Sequence, residues 1–193
     1  MAIVFSLLSV PLAYLLGSIP STYIVGRLVG NVDMRTEGDG RISASAVHRR
    51  LGLIPYLVVV IMDMGIAASA VIIAMMLAES LKIALVAGFA AVVGHNWSAF
   101  LRFKGGLGAT AIGGVLGSLV FQQLLFGLGI AGLVLLATRR PGLSTAVCIM
   151  IISSILFIQK MPAVLAIYPV TLFVLMLLKR VQVDRAVRAK PVN

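Results

Sequence analysis

The sequence predicts an all-α integral membrane protein of seven transmembrane helices, N-terminus outside and C-terminus cytoplasmic. Three observations carry that expectation. Apolar residues make up 61% of the 193 residues and charged residues only 11%, against about 25% charged in an ordinary soluble domain, and the mean hydropathy is +1.11. Apolar runs of spanning length recur along the whole chain. The basic residues, 16 Lys+Arg against 6 Asp+Glu for a net charge of +10, sit between those runs, which points to membrane lipids as partners and not to nucleic acid. With no long polar stretch, residues 1–193 read as a single transmembrane domain.

The runs fall at 2–26, 52–78, 81–101, 109–138, 143–159 and 162–178. No basic segment precedes the first and no small-residue cleavage pattern follows it, so 2–26 is expected to be a retained span and not a signal peptide. The stretch 109–138 is ambiguous, because thirty helical residues reach about 45 Å, too long for one ordinary crossing and short for two. Its centre, Phe121-Gln122-Gln123, offers a turn. Splitting it places fourteen of the sixteen basic residues on the cytoplasmic side and leaves Lys82 and Lys160 outside, whereas the unsplit chain divides them eight and eight. The positive-inside rule therefore selects seven spans. Gly113, Gly114, Gly117, Gly127, Gly129 and Gly132 would let spans four and five be short or tilted and pack closely. Loops 31–50, 102–108 and 139–145 and the tail from 179 then share one face and can form one site.

Two loops carry the chemistry. Gly38 to Arg50 mixes small residues, hydroxyls and guanidinium groups, a set of donors suited to a phosphate or to a plain cytoplasmic loop. Gly94-His95-Asn96-Trp97 leads into Arg102-Phe103-Lys104-Gly105-Gly106-Leu107-Gly108, where a lysine and glycines at a helix start suit an anion. The spacing is not that of a Walker loop. Trp97 suits an interfacial anchor and His95 either a structural or a functional role. Asp63 is the only acid well inside a span and should face the bundle interior with a partner. Arg139-Arg140-Pro141-Gly142 suits a cytoplasmic turn with Pro opening a helix. A single Cys148 excludes an internal disulfide, two distant histidines give no metal set, and no nucleophile elbow is present, so neither metal nor cofactor is expected.

Those residues carry a resemblance over nearly the whole chain. Leu16-Gly17-Ser18-Ile19-Pro20, Asp33-x-Arg35, Gly38-x-Gly40, Arg49 and Leu51-Gly52, then Gly94-His95 and Phe103-Lys104-Gly105-Gly106-x-Gly108, stand in the order and spacing of the bacterial acyl-phosphate glycerol-3-phosphate acyltransferases of PlsY type. The chain resembles a divergent member. The resemblance implies seven spans, a multi-pass place in the bacterial plasma (inner) membrane, and phospholipid biosynthesis by acyl transfer from acyl phosphate to glycerol 3-phosphate, which yields lysophosphatidate. It implies Arg49, Lys104 and His95 as catalytic residues, with Gly38, Gly40, Arg41, Ser43, Ser45, Gly105, Gly106, Gly108, Arg139, Thr145 and Gln182 binding substrate.

The chain departs from that pattern at Asp39, Arg41 and Ala46, where Ser, Asn and Asn are expected, and at Leu107, where a second lysine is expected. Gly142 and Thr145 stand at two serines, and Lys179 and Gln182 at a His and an Asn. The alternative is a catalytically altered or inactive relative that binds lipid phosphate or a partner protein. A transporter is disfavoured, since the spans carry only Asp63 and no internal repeat.

Overall fold

The computed structural model describes residues 2–35 and 42–188. These are all helical or irregular: α1 (Ala2–Gly17), α2 (Ser21–Gly30), α3 (Ala44–Leu51), α4 (Leu53–Ala78), α5 (Leu81–Asn96), a short 3-10 turn (Ala99–Leu101), α6 (Ala109–Leu119), α7 (Phe121–Thr138), α8 (Pro141–Ile158) and α9 (Ala163–Arg188). Six segments are long and apolar enough to cross a membrane: Leu8–Gly30 taken across the α1–α2 break, Leu53–Ala78, Leu81–Leu101, Phe121–Thr138, Pro141–Ile158 and Ala163–Val187. The shorter α6 is also apolar.

The expected runs hold with three differences, and the expected split is present. The first run breaks at Ser18-Ile19-Pro20 and resumes to Gly30, because Pro20 has no N–H and biases Ile19 away from the helical region. The third leaves α-helix at Asn96 and finishes as the 3-10 turn. The stretch 109–138 does split, at Val120, whose φ of −145° interrupts the helix one residue before Phe121. Of the amides expected at that turn, Gln123 Nε2 donates to Gln159 Oε1 at 2.7 Å and ties the break to the end of α8. The last run continues well past 178, to Arg188. Arg139 and Arg140 form the turn between α7 and α8, and Pro141 opens α8.

At 1.5 Å per residue α6 is about 16 Å long, roughly half the hydrocarbon thickness. It lies along the middle of α4: Gly114 sits against the Met64 backbone so closely that a Cβ would overlap its carbonyl. The start of α6 is therefore level with Asp63, well inside α4. Of the other glycines expected at close contacts, Gly127 packs on Cys148 and Ile152, whereas Gly129 and Gly132 face open space. Large exposed side chains such as Ile61, Met76, Leu136 and Phe157 form the outer, lipid-facing surface of the bundle.

Helices α1 and α5 cross at backbone contact. A Cβ on Gly17 would overlap the carbonyl of Ala91, and one on Gly94 the carbonyl of Tyr14. Small residues Ala13, Ala70, Ala74, Ala87 and Ala91 fill the same seam with α4, the side-chain size that close helix approach requires. The ends of the two helices are then stitched together. Tyr14 Oη donates to the Trp97 carbonyl at 2.9 Å, Ser98 Oγ to the Ser18 carbonyl at 2.5 Å, and the Ala99 N–H to Ser18 Oγ at 3.3 Å.

Gly94→Ala should accordingly lower thermal stability in detergent by the equivalent of about 1–3 kcal/mol, the usual cost of overpacking. Gly129→Ala, with nothing within 4 Å of its new methyl, should be neutral or raise stability by up to about 1 kcal/mol.

Candidate functional site

The two helix breaks meet. Ser18, Ser21 and Thr22 from the α1–α2 break, Ile42, His95, Ser98, and Gly105 and Gly106 from the loop before α6 line one cleft. The cleft is thus walled by hydroxyls, an imidazole and glycine backbone. The Ser18–Pro20 break also puts Ser21 at the first position of α2, where N–H groups lack intrahelical acceptors.

Behind the cleft lies Asp63, 3% exposed on α4. Ser21 Oγ donates to its Oδ1 and Thr110 Oγ1 to its Oδ2 at 2.6 Å. His95 Nδ1 stands 3.8 Å from Oδ1. The opposite edge of the same ring faces the loop, since a Cβ on Gly106 would run into His95 Nε2. One carboxylate therefore touches the starts of α2 and α6 and the last turn of α5. Helix N-termini carry partial positive charge, which favours an anion there.

The glycines of the loop serve close approach. Gly105 and Gly106 donate their N–H groups to the carbonyls of Asn96 and His95 at 3.1 and 3.0 Å. These N–H groups close the turn on the end of α5 and do not face an anion. A Cβ on Gly105 would overlap the His95 carbonyl, and Gly108, at φ +86°, presses on the Asn96 side chain. The first bond within α6 runs from Ile112 N–H to Gly108 O at 2.8 Å, so the N–H groups of Ala109 to Ala111 have no acceptor within the helix, at the end that Asp63 approaches.

The remaining expected residues spread around this centre. Lys104 is exposed on the same loop and Arg49 is exposed in the last turn of α3. Ser43 caps α3, its Oγ accepting from Ala46 N–H at 3.3 Å and lying 3.0 Å from Ser45 Oγ. Gly38, Gly40 and Arg41 lie outside the described residues, immediately before Ile42 of the cleft wall. Arg139 is exposed at the end of α7. Gln182 accepts from Trp97 Nε1 at 3.0 Å. Its neighbour along α9, the buried Lys179, places its ammonium 4.9 Å from the centre of the Trp97 ring. Thr145 donates to the Pro141 carbonyl at 2.9 Å and faces a second feature, an apolar cavity of about 290 Å³ between α6, α7 and α8. Met64, Gly113, Leu116, Leu124 and Ile152 line it, and Thr110 of the Asp63 cluster is in its wall.

Residues that the motifs did not single out are Ser21, Thr110 and Ser98. Ser21 and Ser98 carried a signal: Gly17-Ser18-Ile19-Pro20-Ser21-Thr22 and Trp97-Ser98 are polar interruptions of apolar runs.

Among the cations, Arg27 and Arg35 are engaged. Asp33 accepts from Arg35 Nη2 at 2.7 Å and Nε at 2.9 Å and from Arg27 Nη2 at 3.0 Å, and both guanidinium groups lie over the Tyr23 ring. The Arg35 hydrogen bonds, side chain first and then backbone, hold the Asp33 carboxyl well below the usual carboxylate range. A lowered folded pKa means that this contribution is complete at neutral pH and fades only as pH falls below the unfolded value of about 3.9.

Known proteins are similar to this chain in sequence and fold. The chain is 39% identical over 143 residues to the glycerol-3-phosphate acyltransferase of Synechococcus sp. strain CC9902, covering 74% of this chain and 71% of that one. It is 41% identical over 113 residues to glycerol-3-phosphate acyltransferase 2 of Moorella thermoacetica, covering 57% of this chain and 56% of the relative's length. The crystal structure of PlsY, an integral membrane glycerol 3-phosphate acyltransferase in its glycerol 3-phosphate form, superposes with a TM-score of 0.82 at 25% identity, over 97% of this chain and 94% of that one. The glycerol-3-phosphate acyltransferase family matches residues 7–188, the broken first span, the cleft and the apolar cavity included, and the chain belongs to that family.

Proposed function

We propose that this protein transfers an acyl chain from acyl phosphate to the 1-hydroxyl of glycerol 3-phosphate, in phospholipid synthesis at the bacterial plasma membrane. One observation carries the reading: a polar cleft and an apolar cavity of about 290 Å³ adjoin at the Asp63–Thr110 cluster. Acyl transfer needs that pairing, because its donor joins a hydrocarbon tail to a phosphate and its acceptor carries a second phosphate. Ser144 to Ile152, which bound the cavity along α8, span about 12 Å at 1.5 Å per residue, close to the ~15 Å of hydrocarbon in one leaflet.

The chemistry follows from the donors. The acceptor's hydroxyl oxygen bonds to the acyl carbon, the bond from that carbon to the phosphate oxygen breaks, and the hydroxyl proton leaves with the phosphate. Negative charge gathers on the carbonyl oxygen and then on the departing phosphate. His95 and the exposed cations Lys104 and Arg49 stabilise that charge. By the family resemblance, Gly38, Gly40, Arg41, Arg139 and Gln182 bind the phosphates. Ser43 and Ser45 shape the start of α3. Residues 1–193 act as one domain, with α6 as a short seventh span, the N-terminus outside and the cleft open to the cytoplasm.

Purified protein given labelled acyl phosphate and glycerol 3-phosphate should produce lysophosphatidate, and Lys104→Ala or Arg49→Ala should each lower kcat/KM by about 10²–10³. Binding of phosphate ligands without any transfer would instead mark a non-catalytic relative.

The apolar cavity should set donor length. Gly113 lines it, and a Cβ there meets nothing closer than the Met64 methyl at 3.6 Å, so Gly113→Leu fills space without breaking the helix. Its kcat/KM for long-chain acyl phosphates should drop about tenfold or more relative to short-chain donors, as expected when apolar pocket volume is lost.

A cysteine at position 36 in a Cys148→Ala background should resist membrane-impermeant labelling of intact cells and react once the membrane is opened. Labelling from outside would reverse the orientation.

A further inference from the structure

Asp63 is a carboxylate at the centre of the bundle, and the transfer chemistry above makes no use of it. It is set back from the polar cleft: it is 3% exposed and packs among Gly17, Ile19, Ala67 and Ala111, with no room for a water between them. His95 belongs both to that packed cluster and to the wall of the cleft. The ring is thus the partition between them, with Nδ1 on the Asp63 side and Nε2 on the Gly106 side.

The carboxylate is itself held from two directions. Ser21 of α2 donates to one oxygen and Thr110 of α6 to the other, so neither oxygen can swing away without losing a buried hydrogen bond. Oδ1, the oxygen that Ser21 holds, is also the one nearest the imidazole. A buried polar network in which every member is constrained fixes orientation better than any one of its bonds does. We infer that Asp63 is a positioning residue for the acceptor: anchored by Ser21 and Thr110, it holds the His95 ring so that Nε2 stays turned into the cleft toward glycerol 3-phosphate.

The inference rests on the acyl-transfer reading, and its consequence is specific. Loss of the carboxylate should weaken acceptor binding only while the imidazole is present. A residue that merely tied α2, α4 and α6 together would act whether or not residue 95 is histidine.

The test compares wild type, Asp63→Asn, His95→Gln and the double variant. Each is assayed for kcat and for KM toward glycerol 3-phosphate, and each is titrated with glycerol 3-phosphate by calorimetry. Asn keeps the volume of Asp, its amide oxygen accepting from one hydroxyl and its NH2 donating to the oxygen of the other. Asp63→Asn should raise KM and weaken binding about tenfold or more, with the smaller share of the loss in kcat. In the His95→Gln background the same change should shift either quantity by less than about twofold. Losses that multiply across the two backgrounds, or an unchanged KM in Asp63→Asn, would overturn the inference.

Thr110→Val is the second variant, because it releases one carboxylate oxygen at nearly constant volume. It should raise KM about threefold with His95 present and leave it unchanged with Gln at 95, and equal effects in both backgrounds would again overturn the inference. An active wild type with a multiplicative cycle defeats this inference alone. A wild type that neither transfers to nor binds glycerol 3-phosphate defeats it together with the acyl-transfer reading.

Discussion

A carboxylate inside a bundle that buries few charges must be surrounded by donors, and the arrangement around Asp63 follows from that requirement. An unpaired ion at this depth would be strongly unfavourable. Its neighbours meet the need with two hydroxyls, an imidazole and the starts of two helices. Helix starts reach the middle of the bundle only if a helix is broken or short. The Ser18–Pro20 interruption supplies one, and α6, eleven residues long, supplies the other.

Irregular backbone at membrane depth is tolerated where it is buried in protein or lines a cavity. Both interruptions obey that rule, since the cleft is built from them. The same bonds that satisfy the loop also spend its donors. Gly105 and Gly106 close onto the end of α5, so the motif's glycines serve mainly to let the loop approach His95 and Asn96. Gly17 and Gly94 do the corresponding work on the other side, bringing α1 and α5 to backbone contact.

The cations sort into engaged and available groups. Arg27 and Arg35 are held by Asp33 and stacked on Tyr23, which stiffens the segment leading to the loop before α3. Lys179 is buried against Trp97. Lys104 and Arg49 remain exposed beside the cleft-forming elements. Basic residues of one sequence class thus divide between held and exposed groups, a division set by whether an acceptor or aromatic face lies within reach.

The sequence by itself determined the helical membrane class, the approximate bounds of its apolar helices and the break in 109–138. Hydropathy and charge are sums over local residues, and both are written directly in the chain. It also pointed to His95, the Lys104 loop and Asp63, because polar groups are conspicuous in apolar surroundings. It did not reveal that Ser21, Asp63, His95 and Thr110 meet. Those residues are separated by 42 and 47 positions in the bonds from Ser21 and Thr110 to Asp63, and only the crossing of four helices decides which of their faces converge. The direction of the loop's N–H groups, the steric need for each glycine and the apolar cavity beside Thr110 were likewise decided by tertiary packing, since each depends on atoms that distant segments place against it.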